Sequence, residues 1–192
     1  MTSTRSLRAK ALLTLQSIGL APIPDVPDEM AGNLSAAECQ AARQLLLMTQ
    51  AEAAEWMSTT PVSERAWQYW EAGRRAVPAD VAMTLRSACI SRDMAIARAL
   101  EAIHQAPGQR QVGVWYAKVD DWKWTLRRHG LDWKLHNSVV AHLTGQGLVK
   151  LVGFDEAAYL AWSRDLPKIT SDGEMTRHAE WARSTLAPPP RG

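Results

Sequence analysis

The chain has 192 residues, 46% of them hydrophobic and 22% charged. That is enough for one domain or two small ones, and it excludes a disordered protein or a large multidomain enzyme. Lys and Arg number 22 against 20 Asp and Glu, a net charge of +2, compatible with nucleic acid but no argument for it alone. Cys39 and Cys89 form no C-x-x-C pair, so a disulfide-stapled scaffold and a thiolate zinc site are excluded. No uncharged run reaches the ~18 apolar residues of a membrane span, so a cytoplasmic protein with no membrane partner is expected.

Before Asp25 the chain carries Arg5, Arg8 and Lys10 and no acidic residue. Leu7, Ala11, Leu15 and Ile18 fall at helical spacing, so residues 6–20 read as a short amphipathic helix. Pro22, Pro24 and Pro27 then interrupt any regular element. Thr14, Gln16 and Ser17 interrupt the apolar stretch a secretory signal needs. Residues 1–33 are therefore expected to form a partly disordered arm.

From residue 34 to 104 the pattern is helical. Ser35 with Glu38 is a capping box opening a helix to about Leu47, and Thr49 with Glu52 opens a second to about Met57. Ser63 is the expected N-cap of a third helix ending at Gly73, which suits a left-handed C′ position. Thr60 capping ahead of Pro61 is the competing start. Pro78 begins a long helix to about Gln105, closed by Pro107-Gly108. Three short helices, the second and third joined by a tight turn, make a helix-turn-helix.

After Gln111 the rhythm changes. Val112, Val114 and Tyr116 read as a strand, residues 119–128 as a helix broken at His129-Gly130, residues 133–143 as another helix, and residues 148–152 as a second strand. A strand–helix–helix–strand unit of this size cannot cover both faces of its sheet, and a second copy of the chain is the simplest cover. One helix is expected near residues 157–164 and another near 175–185, before the solvated Pro188-Pro189-Pro190.

The third helix carries the chemistry. Ala66, Trp67 and Trp70 share one apolar face, and Glu64, Arg65, Gln68 and Tyr69 lie opposite. An α-helix enters the DNA major groove, where Arg pairs with guanine O6 and N7 and Gln with adenine N6 and N7. Arg65 and Gln68 are the expected base readers. Glu64 either accepts from a cytosine amine or repels phosphate and orients Arg65. Ser63 and Tyr69 are expected at the sugar–phosphate backbone. Gln50 starts the second helix, where free N–H groups favour a phosphate. Nine tryptophans fill small helical cores more often than they stack on unpaired bases, so Trp67 and Trp70 are assigned to the core.

Arg43, Thr49-Gln50, Ala54, Ser63, Trp70-Glu71-x-Gly73 and Pro78 together resemble the helix-turn-helix of the Cro/CI/Xre superfamily. Within it, WQYWEAGRRAVPADV is similar to the YdiL-like and anti-CRISPR-associated (Aca) repressors, over roughly residues 36 to 155. The resemblance implies a structural pair between Glu71 and Arg43, and backbone contacts by Arg74 and Arg75. It also implies negative control of an operon containing the protein's own gene, in a phage or mobile-element setting, with an anti-CRISPR gene a candidate target. The turn through Thr59-Thr60-Pro61 is longer than in simple Cro-like domains.

No H-E-x-x-H, G-x-S-x-G, phosphate-loop or dinucleotide motif is present, and His136 and His142 do not share a helix face as a metal pair would. Catalytic residues, metal and cofactors are thus expected to be absent. The expected fold class is mainly α (α+β). An arm spans residues 1–33, a helix-turn-helix DNA-binding domain 34–105, a dimerisation domain 106–166 and a tail 167–192. The expected activity is sequence-specific repression by a homodimer on an inverted repeat in duplex DNA. An RNA-binding regulator and an antitoxin-type protein-interaction module are the alternatives.

Overall fold

A computed structural model describes residues 33–58, 60–105, 111–122, 130–167 and 174–186. The helix expected over 6–20, most of that expected over 119–128 and the triple proline lie outside the described residues. The fold is mainly helical with two short strands, as the sequence pattern leads one to expect, and among the described residues the strands form a small parallel sheet. By contacts the chain divides into two units, one of residues 1–95 with 129–138 and the other of residues 96–128 with 139–192.

In the first unit α1 (Ala36–Leu45), α2 (Gln50–Trp56) and α3 (Glu64–Glu71) precede the start of α4 (Ala79–Gln105). The capping boxes are formed: Ser35 Oγ accepts from the Glu38 N–H while Glu38 accepts from the Ser35 N–H, and Thr49 and Glu52 do the same. Each box occupies two of the orphan donors at a helix start. Ser63, not Thr60, caps α3, its hydroxyl accepting from the Ala66 N–H. At the far end Gly73 takes φ +69°, and the Gly73 and Arg74 N–H groups donate to the Trp70 and Tyr69 carbonyls, a Schellman closure.

Helix α1 stops two residues short of its expected end. Leu47 adopts φ 57°, and the Leu47 and Met48 N–H groups donate to Gln44 and Arg43. The closure is the same as at Gly73, built on a leucine that periodicity alone assigns to the helix. The core gathers Leu46, Met57, Trp67, Val81 and Leu85, together with Leu131 and Leu135. The last two come from α6 (Gly130–Gly145), whose first turns belong to this unit. Gly130, where the helix over 119–128 is expected to break, is the first residue of α6, and a Cβ there would overlap the Trp56 ring, so the position requires glycine.

In the second unit β1 (Val112–Trp115) pairs in parallel with β2 (Lys150–Gly153), Val112 opposite Lys150 and Trp115 opposite Gly153. The short α5 (Val119–Trp122) follows β1. β2 starts later than the apolar run does, because the Leu148 N–H is already bonded to the Leu143 carbonyl at the end of α6. Then come α7 (Glu156–Ser163) and α8 (Glu174–Leu186). Tyr116, Trp122, Tyr159, His178 and Trp181 are buried; all but Trp122 meet around Phe154, and Trp122 stands edge-on to Tyr116. Phe154 lies 5.2 Å from Tyr116, 4.7 Å from His178 and 5.6 Å from Trp181, ring centre to ring centre. At its middle the Tyr116 hydroxyl is 2.6 Å from His178 Nδ1.

Candidate nucleic-acid interface

Helix α3 is short and strongly two-sided. Trp67 is fully buried and Trp70 is 7% exposed, their rings edge-on at 5.3 Å. That packing turns Glu64, Arg65 and Gln68 to solvent, with Ser63 exposed just before them and Tyr69 half-buried at the margin. The sequence pattern assigns these faces correctly, since buried tryptophans at i and i+3 leave one direction for the polar residues.

What holds α3 is a buried carboxylate. Glu71 Oε1 accepts from Arg43 Nε at 2.6 Å and from Trp67 Nε1 at 2.7 Å. Its Oε2 accepts from Arg43 Nη2 at 3.0 Å and from Gln50 Nε2 at 2.8 Å. Arg43 also donates from Nη1 to the Met48 carbonyl. Glu71 thus ties α1, α2 and α3, and through Arg43 the turn after α1. Burial pushes the Glu71 carboxyl up, but the bonds from Arg43, Gln50 and Trp67 outweigh it and hold the group below the usual glutamate range.

On the solvent side Tyr69 gathers three cations. Arg65 Nε donates to the Tyr69 hydroxyl at 2.9 Å. The guanidinium carbons of Arg65, Arg74 and Arg75 lie 5.7, 5.8 and 5.2 Å from the Tyr69 ring centre, within cation–π range. Both the Arg74 and Arg75 N–H groups donate to the Tyr69 carbonyl. Arg65, Arg74 and Arg75 are all exposed, so a cationic cluster sits directly beside the polar face of α3.

The structure therefore brings Ser63, Glu64, Arg65, Gln68, Tyr69, Arg74 and Arg75 to one end of the first unit, and Arg43, Trp67, Trp70 and Glu71 beneath them. Gln50, expected at the DNA backbone through the start of α2, has a second role. Its side chain is bonded to Glu71, so it belongs to the support as well as to the start of α2. Sequence reasoning misses this bond, and it misses Lys134 of α6, which lies 3.0 Å from Glu52 Oε1 and over the Trp133 ring. No local pattern announces either partner, because both lie far along the chain. Among the described residues no three His, Cys, Asp or Glu side chains converge as a metal site would require. Burial pushes the Cys39 and Cys89 thiols up to about 11, which keeps them protonated and poorly nucleophilic.

The Aca2/YdiL-like family profile matches residues 34–152. The chain belongs to that family. It is 38% identical over 119 residues, 60% of this chain and 97% of the relative, to a protein named Aca2 repressor from Pectobacterium phage ZF40. It is 29% identical over 118 residues, 62% of this chain and 99% of the relative, to the uncharacterized protein YdiL of Escherichia coli strain K12. The matched segment contains every residue of the α3 face and of the Glu71 support. Of the aromatic cluster in the second unit it contains Tyr116 and Trp122, while Phe154, Tyr159, His178 and Trp181 lie beyond it. No helix among the described residues is long and apolar enough to cross a membrane.

Proposed function

We propose that the chain is a repressor-type regulator that binds duplex DNA sequence-specifically, as a homodimer on an inverted repeat in the promoter of its own operon. The relative named a repressor supports the class. The observation that carries the DNA reading is the division of α3, with its tryptophans buried and Glu64, Arg65 and Gln68 exposed. A rod of this kind, fixed from behind by Glu71, enters a major groove without reorganising.

In this reading Arg65 takes the O6 and N7 edge of guanine and Gln68 the N6 and N7 edge of adenine, with Glu64 at a cytosine amine. Ser63, Tyr69, Arg74 and Arg75 hold the backbone. Gln50 contributes through its main-chain N–H at the start of α2, its side chain being bonded to Glu71. The strand-bearing region joins two copies so that their α3 helices meet grooves one helical turn apart or a multiple of it.

The test is binding of the DNA immediately upstream of the gene against a scrambled duplex over a range of salt. Arg65→Ala lowers the preference, of which Gln68 and Glu64 keep a part, and retains scrambled-duplex binding, whereas Arg74→Ala or Arg75→Ala weakens both alike and reduces the log–log salt slope by about one. Undiminished preference in Arg65→Ala rejects the base-reading role, and a complex containing one copy of the chain rejects the dimer.

A further inference from the structure

We infer that Tyr69 is a positioning residue for sequence discrimination, its hydroxyl presetting Arg65 for a base edge while its ring and carbonyl hold Arg74 and Arg75 for the backbone. The inference deepens the proposed DNA reading and rests on it. Arg65 and Tyr69 are four apart on α3, so their side chains lie one above the other. The bond from Arg65 Nε to the Tyr69 hydroxyl, 2.9 Å, engages the inner nitrogen of the guanidinium and leaves both terminal amino groups free. Those two form the parallel fork that matches O6 and N7 of guanine. An arginine already held in that pose gives up less side-chain freedom on binding than one sweeping through solvent.

The rest of Tyr69 serves the other two cations. Its carbonyl accepts from the Arg74 and Arg75 main-chain N–H groups at 2.9 and 3.2 Å, which fixes where both side chains leave the backbone. Its ring lies within 5.8 Å of each guanidinium carbon. Three like charges around one ring repel one another, so an anion arriving there relieves repulsion as well as making new bonds. The base reader and the backbone clamp are thereby placed by a single residue.

The experiment uses the full chain, a duplex selected by the wild-type protein from a randomised library, and a scrambled duplex of the same composition. The readout is the ratio of the two affinities, in which any phosphate bond made by the Tyr69 hydroxyl cancels because it forms on both duplexes. Tyr69→Phe keeps the ring and the fold, checked by an unchanged melting curve, and lowers the ratio about tenfold, the scale of one hydrogen bond to a charged group. In an Arg65→Ala background Tyr69→Phe lowers the ratio no further, since the two act as one unit. Tyr69→Leu also removes the ring and weakens binding to the scrambled duplex. An unchanged ratio in Tyr69→Phe, or full additivity with Arg65→Ala, overturns the inference while the wild-type preference keeps the DNA reading standing. A wild-type protein that selects no duplex overturns both.

Discussion

The two units are held by opposite means. In the first, a carboxylate with four donors, Glu71, crosslinks α1, α2 and α3 beneath a polar helix face. In the second, six aromatic side chains close around one hydrogen bond between Tyr116 and His178. Directional bonds fix the azimuth of α3, which is what a surface that must present particular atoms requires. Ring packing is less directional and maximises buried area, which suits a scaffold of two short strands that cannot stand alone.

The comparison is sharpened first by Trp181→Ala, which leaves a cavity among Phe154, Tyr159 and His178. A loss of about 4 kcal/mol is expected, seen as lost hydrogen-exchange protection in β1, α7 and α8. Equal loss in α3 would show that the units do not open separately. Glu71→Gln comes next at about 3 kcal/mol, because Arg43 is left buried without its charge partner, and here α1–α3 should lose protection. The Glu71 contribution carries its own pH signature. The folded-state value is lowered, so the stabilisation is complete above the unfolded value of about 4.3 and drains away as pH falls through the lower folded value. Glu71→Gln should abolish that part of the acid sensitivity.

Tyr116→Phe removes the bond to His178 but keeps the ring, and denaturant melts should show a loss of about 1.5 kcal/mol. The smallest effect is Gly73→Ala, about 1 kcal/mol from the left-handed backbone alone. A Cβ there would meet nothing closer than Ala36 Cβ at 3.7 Å. A larger loss in thermal melts would mean that the Schellman turn before Arg74 and Arg75 is more tightly constrained than its contacts indicate.

Legibility followed the same divide. Ser35, Thr49 and Ser63 identify their helices because a cap acts on residues three places away, within reach of a reader of sequence. The exposed set Glu64, Arg65 and Gln68 follows from Trp67 and Trp70 by helical period. The Glu71–Arg43 pair was legible only through family resemblance, its partners being 28 residues apart. Gln50 as a third donor to Glu71 and Tyr69 as a hub for three arginines carried no local signal. Neither did Leu47, a leucine in a conformation that its composition does not favour.

By itself the amino-acid sequence determined where α1, α2 and α3 start, which face of α3 is apolar, and that two strands with intervening helices follow. These are properties of neighbours along the chain, set by capping bonds and by the 3.6-residue period. Only the tertiary structure decided that α6 opens at Gly130 against Trp56, that the strands run parallel, and that His178 closes on Tyr116 and Trp181 on Phe154. Those outcomes depend on which distant surfaces fit together, and no window of consecutive residues contains both sides of such a contact.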